Sequence, residues 1–421
     1  MYMNKLKVVS LWLWLGLLTT SMVWAGEDQI FVVNSTADEP DNALDGVCDT
    51  GTGDCTLRAA IQETNNLPLT SKIEFNIEGC TNDICTITVD RANNGSLPDI
   101  VEQVEIDGST QPGNSTVCTL SPEQRPDYKI VVQGDSIDIG LRLEAGSEGS
   151  VIRGLNVRNF FNNIAIINSS DNIIECNLIG TNETGLVGTN QNTANGIIVG
   201  CEANNNILGG PNPEDGNVIA NQDVDGIQYF AGFTCPTGSN IPSNNAILGN
   251  YIGVAKDGIT PLSNIFGGIS FFGGPTFGHF IGTLQDGTTI NANVIGNSES
   301  GIYMNDASNN ITIKGNHIGT DLTGTLNLGN LFGGIDIVSG SNNLVGGVLL
   351  EESNLIAFNA EGVFISGTVS GSNEVRGNQY KNNANNPIDV VQNGGMNPDG
   401  MNINDIDDAD TGANKLMNHP D

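Results

Sequence analysis

The stretch 309–320 reads Asn-Asn-Ile-Thr-Ile-Lys-Gly-Asn-His-Ile-Gly-Thr, and it has relatives at 244–254 (Asn-Asn-Ala-Ile-Leu-Gly-Asn-Tyr-Ile-Gly-Val) and 171–181 (Asp-Asn-Ile-Ile-Glu-Cys-Asn-Leu-Ile-Gly-Thr). A short unit repeated down a chain builds a solenoid. Each copy is too small and too apolar on one face to fold alone, and it becomes stable only by stacking on the copy before it.

The other strands follow the same rhythm. Segments of the Gly-Ile-x-Ile type begin at Gly196, Gly226, Gly268, Gly301 and Gly334, with Gly140-Leu141, Asn163-Ile164 and Gly362-Val363 as variants. Each is followed by a second strand entered through Asn-Asn or a similar pair, and by a third such as Asn217-Val218-Ile219 or Asn354-Leu355-Ile356. Three strands and a return make one coil of a parallel β-helix. Coils ending in Asn-x-Ile-Gly with a long turn alternate with coils carrying Gly-Gly, so Gly253 and Gly319 stand 66 positions apart while Gly268, Gly301 and Gly334 step by 33. The fold class is therefore all-β, a right-handed parallel β-helix with an N-terminal capping helix. Rungs about 4.8 Å apart put like side chains in register, so Ile311 and Ile313 point inward, Thr312 points outward, and Asn at the bends forms amide ladders.

The capping helix is read from Cys55-Thr56-Leu57-Arg58-Ala59-Ala60-Ile61-Gln62-Glu63-Thr64-Asn65-Asn66. Thr56 is the N-cap, and Leu57, Ala60, Ile61 and Thr64 share one face. An amphipathic helix here hides the open end of the solenoid, with its unpaired backbone groups and apolar interior. Arg58 is read as an anchor for this helix. Irregular first coils follow, with strands at Ile73–Ile77, Cys85–Val89, Val104–Asp107 and Tyr128–Val132, and a polar loop from Asn114 to Pro126.

Phe31-Val32-Val33-Asn34-Ser35-Thr36-Ala37-Asp38, then Cys48, then Cys55-Thr56-Leu57-Arg58-Ala59-Ala60-Ile61, resembles the N-terminal module named for its Cys-Ser-Leu-Arg-Glu-Ala motif. That module is found in exported bacterial β-helix proteins of pectin-lyase-like fold. Thr56 replaces one N-capping residue by another, and Ala59 replaces the Glu that would complete a capping box. The resemblance implies fold and export and assigns no chemistry.

Export is also written at the N-terminus. Lys5 and Lys7 precede an apolar run from Val8 to Val23, and Val23-Trp24-Ala25 offers a signal-peptidase site before Gly26. The chain thus divides into a signal peptide (1–25), a cap module with irregular first coils (26–139), regular coils (140–391) and an acidic tail (392–421). No second long apolar run appears, so no membrane span is expected in the mature chain, which reads as a bacterial, secreted or cell-surface protein and a monomer.

Eight Cys in an exported chain read as disulfides. Cys48 pairs with Cys55 across a small loop, worth roughly 2.5 kcal/mol by chain entropy. Cys80 and Cys85 pair likewise, and Cys201 and Cys235 occupy similar places in consecutive repeats. Cys118 and Cys176 have no evident partner in the sequence.

With 15 Lys and Arg against 48 Asp and Glu, the chain cannot neutralise a run of phosphates, which excludes nucleic acid as a partner. On the Gly-Ile-x-Ile strands the outward positions are Arg142, Ala165, Ile198, Gln228, Ser270, Tyr303, Asp336 and Phe364. This column contains one acid and one base at opposite ends. It lacks the paired carboxylates of glycoside hydrolysis and a Ca²⁺-binding acid cluster beside an Arg base, which weighs against catalysis. Tyr303, Asp336 and Phe364 make a small aromatic and acidic patch able to stack a sugar ring. Asp223, Asp225, Glu299 and Glu361, just before strand starts, read as solvated turn carboxylates. Lys314 and His317 are outward positions free to carry function. In the tail, Asp405, Asp407, Asp408 and Asp410 are close enough to share a Ca²⁺, the one cofactor the sequence points to, although they lack EF-hand spacing. The reading is a non-catalytic exported β-helix that adheres to surfaces or binds an extracellular polysaccharide or cell-surface glycan. The alternative is a polysaccharide lyase or glycoside hydrolase with a loop-built site.

The register yields a first prediction. Ile313→Asp places an unpaired charge inside the tube and should destabilise the protein by about 3–5 kcal/mol; an unchanged melting curve would remove the register.

Overall fold

The computed structural model describes residues 28–68, 70–189, 194–232, 241–367 and 372–391. The segment 1–25 read as a signal peptide, Cys235, and the acidic tail with Asp405, Asp407, Asp408 and Asp410 lie outside the described residues.

Three parallel sheets run along the chain. Sheet 1 has 11 described strands, from Gln29–Val33 to Glu374–Arg376; sheet 2 has 10, from Cys85–Thr88 to Gln379–Lys381; sheet 3 has 9, from Ile139–Leu143 to Ile388–Val390. One coil is Asn195–Gly200 in sheet 3, Ile207–Gly209 in sheet 1 and Val218–Ile219 in sheet 2, after which Asp225–Phe230 opens the next. This is a right-handed parallel β-helix.

Its core is a set of stacked columns. On sheet 3, Leu141, Ile164, Ile197, Ile227, Ile269, Ile302, Ile335 and Val363 pair rung on rung, and all are fully buried. Ile311 and Ile313 are fully buried while Thr312 is half-exposed, as the register requires. The Gly that opens each Gly-Ile-x-Ile strand has a steric cause. A Cβ at Gly196, Gly226, Gly268, Gly301 or Gly334 would sit 2.5 to 3.0 Å from the Cγ2 of an Ile in sheet 2, so only Gly lets the two sheets meet this closely.

The bends hold buried amide ladders. Between sheets 1 and 2, Asn177, Asn217, Asn250, Asn293, Asn316 and Asn354 each donate side chain to side chain to the next, ending on Asn378, at 2.9 to 3.1 Å. A second ladder at the bend into sheet 1 runs Asn172, Asn206, Asn245, then resumes at Asn343 and Asn373. His279 takes an Asn place in it: its Nδ1 accepts from the Asn245 backbone N–H at 3.3 Å, and its ring lies 4.3 Å from Tyr229 and 5.3 Å from Phe271. Burial holds this imidazole neutral, pushing its pKa down to about 3, with the Pro242 carbonyl only partly offsetting the effect.

The doubled period is a matter of turns. Thr181↔Gly188, Val254↔Pro261 and Thr320↔Asn327 bridge long turns between sheets 2 and 3 in every second coil. Intervening coils carry their long turn between sheets 1 and 2, with 3-10 helices Pro213–Asp215 and Leu350–Glu352 or the bridge Thr283↔Ile290.

The cap is the helix Leu57–Asn66. Thr56 accepts from the Ala59 N–H, and Leu57, Ala60 and Ile61 join the core cluster that holds Phe31, Val33 and Ile73. Arg58, 3% exposed, grips Asp38 through two nitrogens and donates to the Ser96 and Gly95 carbonyls at 2.6 and 2.9 Å. It is a buried anchor. Glu63 accepts from the Asp45 and Gly46 N–H groups, tying the preceding loop to the helix.

Several expectations need correction. A second short helix, Arg91–Asn94, starts at an Asp90 cap, and 3-10 turns Val117–Thr119 and Pro122–Gln124 interrupt the segment read as a loop. Cys118, without an evident partner in the sequence, is bonded to Cys176 across 58 positions. The turn Gly108–Thr110 and the loop after it fold back over the next coils, where Cys176 waits at a bend. Disulfides also join Cys48 to Cys55 and Cys80 to Cys85. Lys314 is not free: its Nζ pairs with Glu352 at 2.8 Å. His317 is held too, with Nδ1 3.0 Å from the Asp321 carbonyl oxygen.

Candidate functional site

Sheet 3 aligns the outward column rung by rung: Arg142, Ala165, Ile198, Gln228, Ser270, Tyr303, Asp336 and Phe364. Outward does not mean exposed. Ala165 and Ile198 are buried in a satellite apolar cluster, and Ser270, Asp336 and Phe364 are buried as well.

Two consecutive inward positions, the Gly and the Ile, separate this column from a second outward one three residues earlier. There Asp225, Gly267 and Ser300 pair in successive rungs, and Gly333 pairs with Glu361. The two columns interlock through acid–hydroxyl bonds. Asp225 Oδ1 accepts from Ser270 Oγ at 2.6 Å, and its Oδ2 from Gln228 Nε2 at 2.7 Å. Asp336 Oδ2 accepts from Ser300 Oγ, the same pairing with the roles of the columns exchanged. A glycine makes room each time: a Cβ at Gly267 would collide with the Ser270 hydroxyl, and one at Gly333 with the Asp336 carboxyl.

Both acids are perturbed by burial. Desolvation pushes Asp336 up to about 6, the Ser300 hydroxyl and Gly333 N–H pull it back in part, and the Glu361 charge pushes it further up. Asp225 is likewise raised to about 6, mainly by desolvation. Asp225 and Glu361 are 0% and 3% exposed, so they are not solvated turn carboxylates, whereas Asp223 is exposed and Glu299 half-exposed. Asp225 is held by Ser270 and Gln228 on the strands of sheet 3, and Glu361 by Asn385 and Asn386 ahead of the next strand.

Near the C-terminal coils the columns open into a pocket of about 370 Å³. It brings together Tyr303, Asp336 and Phe364, the three residues of the sequence patch, with Ser300, Phe332 and Glu361. Glu361 is the second acid that the single-column reading missed; scanning both outward positions of each strand finds it. Its oxygens accept from Asn385 Nδ2 at 2.7 Å and the Asn386 N–H at 2.9 Å. Phe332 is 60% exposed at the rim, and the Tyr303 ring packs edge-on against Phe266 at 5.4 Å. Burial raises the Tyr303 hydroxyl above its usual range, with the charges of Asp336 and Asp306 adding to it. No Lys, Arg or His lines this pocket, and no group of three potential metal ligands is found among the described residues. The site offers aromatic faces, carboxylate acceptors and hydroxyls.

A raised carboxyl carries a sign. Asp336 in the native state binds a proton more tightly than in the unfolded chain, so between about pH 4 and 6 folding takes up protons and stability falls as pH rises. Asp336→Asn should therefore gain roughly 2–3 kcal/mol relative to wild type at pH 8 and little at pH 3. Denaturant unfolding at the two pH values checks this, and an equal effect at both would contradict it.

No protein-family model matches the chain, and no curated protein matches it. Among solved structures it is similar to the periplasmic alginate epimerase AlgG at 13% identity, over 78% of this chain and 71% of that one, with a TM-score of 0.33. It is similar to PfbA, a surface adhesin of Streptococcus pneumoniae, at 13% identity, over 79% and 83%, with a TM-score of 0.35. It is also similar to the catalytic domain of a GH87 alpha-1,3-glucanase at 10% identity, over 85% of this chain and 61% of that one, with a TM-score of 0.34. These likenesses assign no activity.

Proposed function

We propose that this chain is an exported, non-catalytic β-helix of the cell surface or extracellular space that binds a neutral glycan in the pocket of Tyr303, Phe332, Asp336, Glu361 and Phe364. The observation that carries this reading is the convergence of three aromatic side chains on two buried carboxylates in one pocket. A sugar ring presents C–H faces that pack on aromatic rings and hydroxyls that donate to carboxylates. With no cation in its lining, the pocket disfavours uronate or sulfated chains, which would face two acids across a poorly solvated gap.

Non-catalytic binding is favoured by how the acids are held. Asp336 is fastened by Ser300 and Glu361 by Asn385 and Asn386, so both serve as fixed acceptors. The observation that favours a glycoside hydrolase instead is a raised Asp336 beside a second acid, the pattern of an acid and its partner. Export is supported by three disulfides among the described residues, by the Val23-Trp24-Ala25 segment of the sequence, and by the resemblance of the cap to exported modules. No helix of the described residues is long and apolar enough to cross a membrane.

The test is a panel of neutral and acidic oligosaccharides, incubated with and without Ca²⁺ and read for both binding and chain length. Wild type should bind a neutral member and leave its length unchanged. Phe332→Ala should weaken that binding about 3- to 10-fold with no change in melting temperature, because it removes a stacking face from an exposed rim. Shortened chains would replace this reading with the hydrolase, and undiminished binding by the variant would move the site elsewhere.

A further inference from the structure

A second cavity lies on sheet 2 in the first half of the helix, away from the pocket above. It has a volume of about 390 Å³, and its mostly polar lining includes Thr81, Asn82, Thr86, Lys129 and Arg158 together with Asp127 and Glu183.

Its charges are unusual for this chain. Each Lys or Arg side chain among the described residues has an ion pair or hydrogen bond, as Lys72, Arg142, Lys256 and Arg376 do, except Lys129. In a protein of formal net charge -33, that free ammonium stands in a half-buried recess. The neighbouring charges are already matched. Arg158 Nη1 pairs with Glu183 Oε2 at 3.1 Å, and Asp127 pairs with Lys256 at 3.7 Å. With Lys256, which stands just outside the cavity lining, counted against Asp127, Lys129 is one positive charge in excess.

The walls are fixed before any ligand arrives. Gln133 Nε2 donates to Thr88 Oγ1 at 3.1 Å, and Arg158 Nε donates to Gln133 Oε1 at 3.3 Å, so a relay across three coils aims the guanidinium. The disulfide Cys80–Cys85 closes a loop of five positions around Thr81 and Asn82, braced by the bridge Thr81↔Ile84. Ordering groups at binding is costly, and here the folded chain has already ordered Arg158, Thr81 and Asn82, leaving Lys129 to settle on the anion. This gives the small disulfide loop a task beyond stability.

We infer that this cavity binds the carboxylate of an acidic sugar, a hexuronate, with Lys129 and Arg158 facing the anion and Thr81, Asn82 and Thr86 meeting the ring hydroxyls. The single excess charge fits a monoanion better than a phosphate dianion, and the side-chain hydroxyls and amide fit a polyol better than a bare inorganic ion. The inference is independent of the glycan pocket on sheet 3.

Calorimetric titration of the full-length protein with methyl β-glucuronide, methyl β-glucoside and sodium sulfate at one ionic strength tests it. The glucuronide should bind at one site roughly 10-fold or more tightly than the glucoside, and sulfate should not displace it at equal concentration. Lys129→Met should abolish the preference, Lys129→Arg should keep it, and Phe332→Ala should leave it untouched. Because Lys129 has no partner to lose, the melting temperature of Lys129→Met should match wild type. The inference is overturned if glucuronide and glucoside bind alike, if sulfate competes equally, or if a folded Lys129→Met keeps the preference.

Discussion

Everything in this molecule depends on keeping one coil in register with the next, and the buried amide ladders enforce it. An Asn side chain both donates and accepts, so a column of them links each rung to its neighbours in one direction only. In the ladder through Asn217 and Asn250, each Oδ1 accepts both the backbone N–H and the side-chain N–H of the preceding rung. A slip by one residue would turn every inward Ile outward and leave these buried groups unpaired. Hydrophobic stacking supplies most of the favourable free energy, but it is non-directional. The ladders decide which stack forms.

The outward surface inherits that register. Because Gly-Ile pairs face inward, two outward columns flank them on sheet 3, and side chains 36 and 45 positions apart become hydrogen-bond partners, as Ser300 with Asp336 and Asp225 with Ser270. Glycines in one column leave the space into which carboxyls of the other fold. The result is a surface where acids are buried without cations and aromatic rings border them. Such a surface suits hydroxyl-rich neutral ligands, whereas the Lys129 recess on sheet 2 has the opposite bias. The two proposed sites differ because they sit on different sheets of one scaffold, and each coil is free to vary its outward residues independently of its core.

Much of this was legible in the sequence, for a physical reason. Period-two alternation and a repeat of fixed length determine which residues face in, so Ile311, Ile313 and the whole column from Arg142 to Phe364 follow from spacing alone. Burial on the outer face does not follow. Asp225 and Glu361 stand beside turn residues and read as solvated, but both are buried, and partners that sequence spacing does not reveal, Ser270 for one and Asn385 and Asn386 for the other, come from the next coil. Lys314 looked free because its partner Glu352 lies in the next coil's long turn, on a 3-10 helix that the repeat pattern leaves out. Cys118 lies in an irregular loop with no repeat to place it, so its approach to Cys176 is a tertiary fact. The pocket residues follow only in part from the repeat, since period-two alternation marks one outward column where the strand geometry creates two.

The central claim, that the amide ladder sets the register, is tested most directly at Asn250. Its Oδ1 accepts twice from Asn217 and its Nδ2 donates to Leu208, Leu248 and Asn293, all within a fully buried bend. Equilibrium unfolding of Asn250→Ala should show a loss of about 3 kcal/mol, since several buried groups lose their partners at once. A variant as stable as wild type would mean that apolar stacking alone holds the coils in place.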